Sequence, residues 1–201
     1  DRVRAIGRRV ERQAHLAEGG ARAMRIDRGY GVFGVAADAG IDAQAALAAL
    51  VPDDGELWMV EAEPWPLPPG TREVKRAILV QMVADGAPPV RGEGEPAIIP
   101  LGEEDAREMT VLAGHAKPGP WGPKTHRYGP FFGIRDEGRL LAMAGQRMLV
   151  PGMAEVSGVS TWADCRGRGY ARALIGHVMR EMVTRGEQPF LHSYADNGGA
   201  I

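Results

Sequence analysis

The run Cys165-Arg166-Gly167-Arg168-Gly169-Tyr170-Ala171 constrains this chain more than any other stretch, because it joins a strand pattern to an amphipathic-helix pattern. Upstream, Met153 to Thr161 reads as a strand. Downstream, Ala171, Leu174, Ile175, Val178 and Met182 form one apolar stripe of a helix over Arg168 to Arg185, and Gly186 stands where a C-terminal cap belongs. Glycine at such a turn lets the backbone approach a ligand closely, and the first N–H groups of a helix have no internal partners. The turn therefore suits phosphate oxygens, with Arg166 and Arg168 adding positive charge beside it. Taken alone, the same glycines also fit a helix start that holds no ligand.

The flanking patterns extend the order of elements. Ala97–Leu101 reads as a strand, and Glu103 to His115 as a helix through Ala106, Met109, Leu112 and Ala113. A Pro/Gly-rich loop follows, then strands at Phe131–Arg135 and Arg139–Val150 joined by a hairpin turn at Asp136-Glu137-Gly138. Pro189–Tyr194 is a further strand, and Asp196-Asn197 opens another helix that the sequence cuts short. The order predicts an α/β (α+β) fold, a mixed sheet with helices packed on it. The prolines and glycines from Pro88 to Pro100 mark a linker, giving a smaller α/β domain over 1–95 and a second domain over 96–201. Within the first, Ile41–Val51 reads as a helix, Glu56–Glu63 and Ala77–Val83 as strand-like runs, and residues 64–70 as a Pro-rich turn. The chain opens without methionine and stops at Ile201 without a terminating signal, and both ends are read as cuts in a longer sequence.

Composition removes several function classes. A net charge of −2 and a pI near 6.2 create no field that favours nucleic acid or anionic membranes. Arg2, Arg4, Arg8, Arg9 and Arg12 are read as a solvated helix face in preference to a nucleic-acid arm. The sole cysteine, Cys165, forbids an internal disulfide and suits a reducing compartment, so the protein is placed in the cytoplasm. The five histidines have no metal-ligand spacing, and no metal is expected. Gly29-Tyr30-Gly31-Val32-Phe33-Gly34 spells a dinucleotide fingerprint, but no buried strand precedes it and no amphipathic helix follows.

The spacing Arg166-x-x-Gly169-x-Ala171, with the whole stretch from Ala154 to Ile201, resembles the acyl-CoA-binding half of the GNAT superfamily of N-acetyltransferases. By element order the resemblance extends back to about Ala97. It implies a mostly antiparallel GNAT-like sheet flanked by helices, with acetyl-CoA as co-substrate. In relatives resembling glycine N-acyltransferase the chain has two parts, so the N-terminal half is readable as a degenerate copy of the same fold. Sheet neighbours of the strand at 189–194 are then expected beyond Ile201.

The resemblance also implies roles. Val159, Ser160 and Thr161 match residues whose main chain holds pantetheine; Gly167, Arg168, Gly169, Tyr170, Ala171 and Arg172, with Arg166, match the diphosphate cradle; Asn197 falls where a polar side chain faces the CoA arm. Glu155, eleven residues before Arg166, is the candidate general base. An amine acceptor has a pKa of ~8 to ~10 and arrives mostly protonated, while only the neutral amine attacks a thioester. The other reading of Glu155 is an exposed strand glutamate without a role. The tyrosine that protonates the leaving thiolate in relatives has no counterpart here, so a group beyond Ile201 or solvent supplies that proton. His192 and Tyr194 share a strand face and either pack or touch the acceptor. Trp121, His126 and Tyr128 either line an acceptor pocket or cover the core. The acceptor is a small-molecule or peptide amine; the oligomeric state is not legible. The rival function is a GNAT-like module that binds CoA, or nothing, and serves in regulation.

Overall fold

A computed structural model describes residues 13–53, 55–92 and 94–199; the arginines between positions 2 and 12, read above as a helix face, lie outside them. The chain divides into two units, Asp1–Ala77 and Ile78–Ile201. In the first, β1 (Ala17–Gly19), β2 (Ala23–Ile26) and β3 (Gly34–Ala36) form an antiparallel meander. Helix α1 (Ile41–Ala48) buries Ala43 and Leu47 with Ala23 and Ala36. The glycines of the dinucleotide-like run occupy the connection between β2 and β3, where Asp27 Oδ1 accepts the Gly29 N–H at 2.7 Å. No helix opens there, so the run has no phosphate-binding context. The strand-like reading of Glu56–Glu63 is corrected to a single bridge between Trp58 and Phe33, because the three-residue β3 is too short to pair further.

The second unit is a six-stranded sheet. Its strands are β4 (Leu79–Val83), β5 (Ile99–Leu101), β6 (Phe131–Asp136), β7 (Arg139–Val150), β8 (Met153–Thr161) and β9 (Gln188–Tyr194), in the order β4-β9-β8-β7-β6-β5. Only β8 and β9 run parallel. Helix α2 (Ala106–Ala116) covers one face, burying Met109, Leu112 and Ala113 with Phe131, Leu140 and Met143. Helix α3 (Tyr170–Thr184) covers the other, setting Leu174, Val178 and Met182 against Ala142, Ala144, Ala154 and Val156. The small alanines let the helix approach closely. Burial on both faces also explains why β7 reads as an almost unbroken apolar run. Gly186 ends α3 at φ +75, with the Glu187 N–H bonded to the Met182 carbonyl at 3.0 Å, the cap the sequence calls for. No helix of the described residues is long and apolar enough to cross a membrane.

Two expectations are corrected by β4. It precedes the Pro/Gly-rich linker, yet it pairs along β9 from Leu79 opposite Tyr194 to Val83 opposite Phe190. The division between units therefore falls at 77/78 and not at 95/96. The strand beside β9 comes from the first half of this chain. The outer edge of β9 carries backbone donors and acceptors that need partners, and the alternating Leu79–Val83 run supplies them.

Bulges shape the middle of the sheet. Between Met143–Ser160 and Gly145–Ser157, β8 has one residue more than β7, and Gly158 adopts φ +64 there. A Cβ on Gly158 would lie 2.7 Å from Phe131 Cε1, in a buried ring that has nowhere to go. Gly158→Ala is thus expected to destabilise the protein by about 2–4 kcal/mol, combining left-handed backbone strain with overpacking. Urea unfolding checks this; a midpoint unchanged from wild type would show that the bulge accepts a side chain. A second bulge, on β7 between Gln146 and Leu149, contains Arg147.

Candidate active site

Strands β8 and β9 pair only at Met153–Gln188, Ala154–Pro189 and Glu155–Phe190. Both continue, to Thr161 and Tyr194, without further ladder partners between them. They splay, and the gap exposes backbone groups of Val156–Thr161 along one edge. This is the condition that main-chain binding of an extended amide-bearing ligand requires. Val159, Ser160 and Thr161 lie along this stretch. Ser160 is 1 % exposed, and among the described residues its Oγ has no hydrogen-bond partner.

The gap leads to the turn. After Thr161 a short 3-10 stretch, Ala163–Cys165, brings the chain round to Gly167 (φ +77) and Gly169 (φ +79), the residue that precedes α3. Among the described residues no side chain caps the helix, and its first turn has no acidic residue. Its N–H groups therefore keep the partial positive charge of a helix start. A Cβ built on either glycine would meet nothing within 4 Å, so the space over the turn is open. Arg166, Arg168 and Arg172 are exposed around it, and Tyr170 is half-buried. The nearby acid, Asp164, is neutralised by the Arg139 fork at 2.8 and 3.2 Å. Ala171 sits in the first turn of α3, and Asn197 is exposed on the turn after β9, its N–H bonded to the Tyr194 carbonyl at 3.0 Å. The chemistry of this set is that of an anion site at one end of a backbone-lined gap.

Glu155 stands where the gap begins, on the sheet face opposite Val156 and α3. It is 1 % exposed, which corrects the reading of an exposed strand glutamate. Arg147 grips it with a fork, Nε to Oε2 at 2.9 Å and Nη2 to Oε1 at 2.8 Å. His192 Nδ1 lies 2.9 Å from Oε1. Burial by itself pushes the Glu155 carboxyl upward. The Arg147 guanidinium and the His192 bond overcome burial and hold it at about 2, below its ordinary 4.5. A carboxylate accepts and cannot donate, so the His192 proton is on Nδ1. The His192 ring stacks edge-on against Phe190 at 5.6 Å. Sequence reasoning singled out Glu155 and noted His192 without pairing them, and it missed Arg147. Arg147 is eight residues upstream on another strand; it follows Gln146, which pairs with Val156, so cross-strand register brings it opposite Glu155.

The loop aromatics are cover more than pocket. Tyr128 is buried, and the His126 side chain is 5 % exposed with Nε2 at 3.0 Å from Glu103 Oε2. Trp121 packs edge-on against Phe131 at 5.5 Å and donates from Nε1 to Thr110 Oγ1 at 3.2 Å. Cys165 is buried beside the turn.

Comparisons with known proteins bear on the family and the fold. The family model described as FR47-like protein matches residues 131–201. A crystal structure described as an acetyltransferase from the GNAT family of Novosphingobium aromaticivorans is 46% identical, covers 98% of this chain and 87% of its own, and superposes with a TM-score of 0.88. A GNAT-family acetyltransferase of Colwellia psychrerythraea, 17% identical over 62% of this chain and 49% of its own, shares the fold at a TM-score of 0.52. No curated protein matches the sequence significantly.

Proposed function

Since the chain belongs to the GNAT family of acetyltransferases, we propose that it moves an acetyl group from acetyl-CoA to a primary amine by direct attack on the thioester. The observation that carries this reading is the splay of β8 from β9 beyond Glu155, opening onto a helix start with free N–H groups. Main-chain groups of Val159, Ser160 and Thr161 would hold the pantetheine amides. Gly167 to Arg172, with Arg166, would hold the diphosphate, and Asn197 would face the arm.

Acetyl-CoA supplies an activated acyl carbon; the protein has to position it and accept a proton. The acceptor is a small-molecule or peptide amine, and its proton leaves towards the Glu155–His192 pair where the gap begins. The sole cysteine, unpaired and buried, supports work in the reducing cytoplasm. The test is direct. Acetyl-CoA is mixed with phenethylamine, spermidine, glycine or a peptide with a free N-terminus, free CoA thiol is followed by colour, and products are read by mass spectrometry. Thiol release matched by an acetylated amine is expected. A protein that neither binds acetyl-CoA nor releases thiol would sink the reading.

A further inference from the structure

We infer that His192, through Nε2, is the base that takes the proton from the acceptor amine, and that Glu155 is a positioning residue acting through it. This rests on the acyl-transfer reading above and deepens it. The case begins with access. Glu155 is 1 % exposed, and both its oxygens are occupied, Oε2 by Arg147 and Oε1 by Arg147 and His192. An amine in the gap would have to displace a buried ion pair to reach it. His192 has the opposite character. Its side chain is 27% exposed, Nδ1 is committed to Glu155, and among the described residues nothing pairs with Nε2. With the proton fixed on Nδ1, neutral imidazole presents a lone pair on Nε2.

Position agrees. His192 lies two residues past the last ladder pair of β9, inside the splay, on the face that carries Glu155. The charged groups facing it are Glu155 from β8 and, behind that, Arg147 from β7; across on β4 its register partner is the neutral Gln81. Glu155 and Arg147 cancel one another, so the ring is held by a carboxylate without a bare negative charge that would trap a cationic amine. In the step itself the amine nitrogen forms a C–N bond to the acetyl carbon, the C–S bond breaks, and CoA leaves as thiolate. The ammonium first gives one proton to Nε2, where Glu155 holds the imidazolium; after the C–N bond forms the nitrogen loses its second proton to solvent, and solvent supplies a proton to the thiolate.

The experiment compares kcat against pH for wild type, His192→Gln and Glu155→Gln, with acetyl-CoA affinity measured for each by calorimetry. The amine is whichever of the four above is turned over fastest. His192→Gln should lose about 100-fold or more in kcat at neutral pH, keep its acetyl-CoA affinity, and regain rate as pH rises towards the amine's own pKa. With trifluoroethylamine, already neutral at that pH, the loss should shrink. Imidazole in solution should restore part of the rate to His192→Ala, which a merely structural histidine would not allow. Glu155→Gln should lower kcat by less than His192→Gln, because the base itself is still present and only its support is lost. An unchanged His192→Gln profile, with binding and transfer intact, overturns this assignment alone. Failure of the wild type to bind acetyl-CoA overturns the acyl-transfer reading and the assignment together.

Discussion

Ala171→Asp should abolish measurable acetyl-CoA binding while leaving the fold intact or slightly firmer. The substitution falls in the first turn of α3, where no acid is present and no side chain caps the N–H groups. A carboxylate there interacts favourably with the helix dipole, by roughly 0.3–1 kcal/mol, so the protein alone gains. The same carboxylate would sit against the diphosphate and compete for the N–H groups and for the exposed Arg166, Arg168 and Arg172. Two like charges at ~4 Å near a protein surface repel by about 4 kcal/mol, a loss of roughly a thousandfold in affinity. Calorimetry with acetyl-CoA and a thermal melt of the same samples separate the effects. Equal affinity in wild type and variant would remove the turn from the ligand site. Loss of affinity with a lowered melting temperature would show damage to the helix instead.

The parts of this site legible in sequence are those encoded by neighbours along the chain. Strands β7 and β8 run over the residues their patterns indicate, and α3 begins two residues later than its pattern, because Gly169 adopts φ +79 and cannot start a helix turn. The Arg166-Gly169-Ala171 spacing is local too, so the turn could be read before its surroundings were known. What escaped was long-range. That Leu79–Val83 crosses the linker to pair with β9 depends on which edge is vacant in the folded sheet, and five alternating residues do not state it. The Arg147–Glu155–His192 cluster joins three strands. Arg147 and Glu155 meet because Gln146 pairs with Val156, and neither strand taken alone states that register. Glu155 was visible as a carboxylate at a suggestive spacing, but its burial, and with it the division of roles with His192, was not.

Glu155→Gln should also be the most destabilising conservative change in the C-terminal unit, and the loss should depend on pH. Removing the carboxylate takes from Arg147, whose side chain is 12% exposed, the two-pronged pairing with Glu155 that offsets its burial. Such a break costs about 3–5 kcal/mol, whereas replacing the whole pair by apolar groups is often close to neutral. Glu155→Gln combined with Arg147→Met should therefore recover much of the loss, a non-additivity that two independent sites would not show. The pH dependence follows from the carboxyl group held at about 2 in the folded protein against an ordinary 4.5. A depressed carboxyl stabilises the fold fully above its unfolded value, and the contribution disappears as pH falls from about 5 through 2. The displacement corresponds to roughly 3 kcal/mol at neutral pH. Glu103 is held low as well, by Arg127 and His126, but it is exposed and solvent screens its contribution. The quantity to measure is therefore the difference in urea midpoint between wild type and Glu155→Gln at pH 7, 4 and 2.5. That difference should be largest at pH 7 and shrink steadily with acid. A difference below ~1 kcal/mol at neutral pH, or one independent of pH, would mean that the Arg147–Glu155 pair contributes no more than a surface ion pair, and the cluster would lose its claim to hold the His192 ring in place.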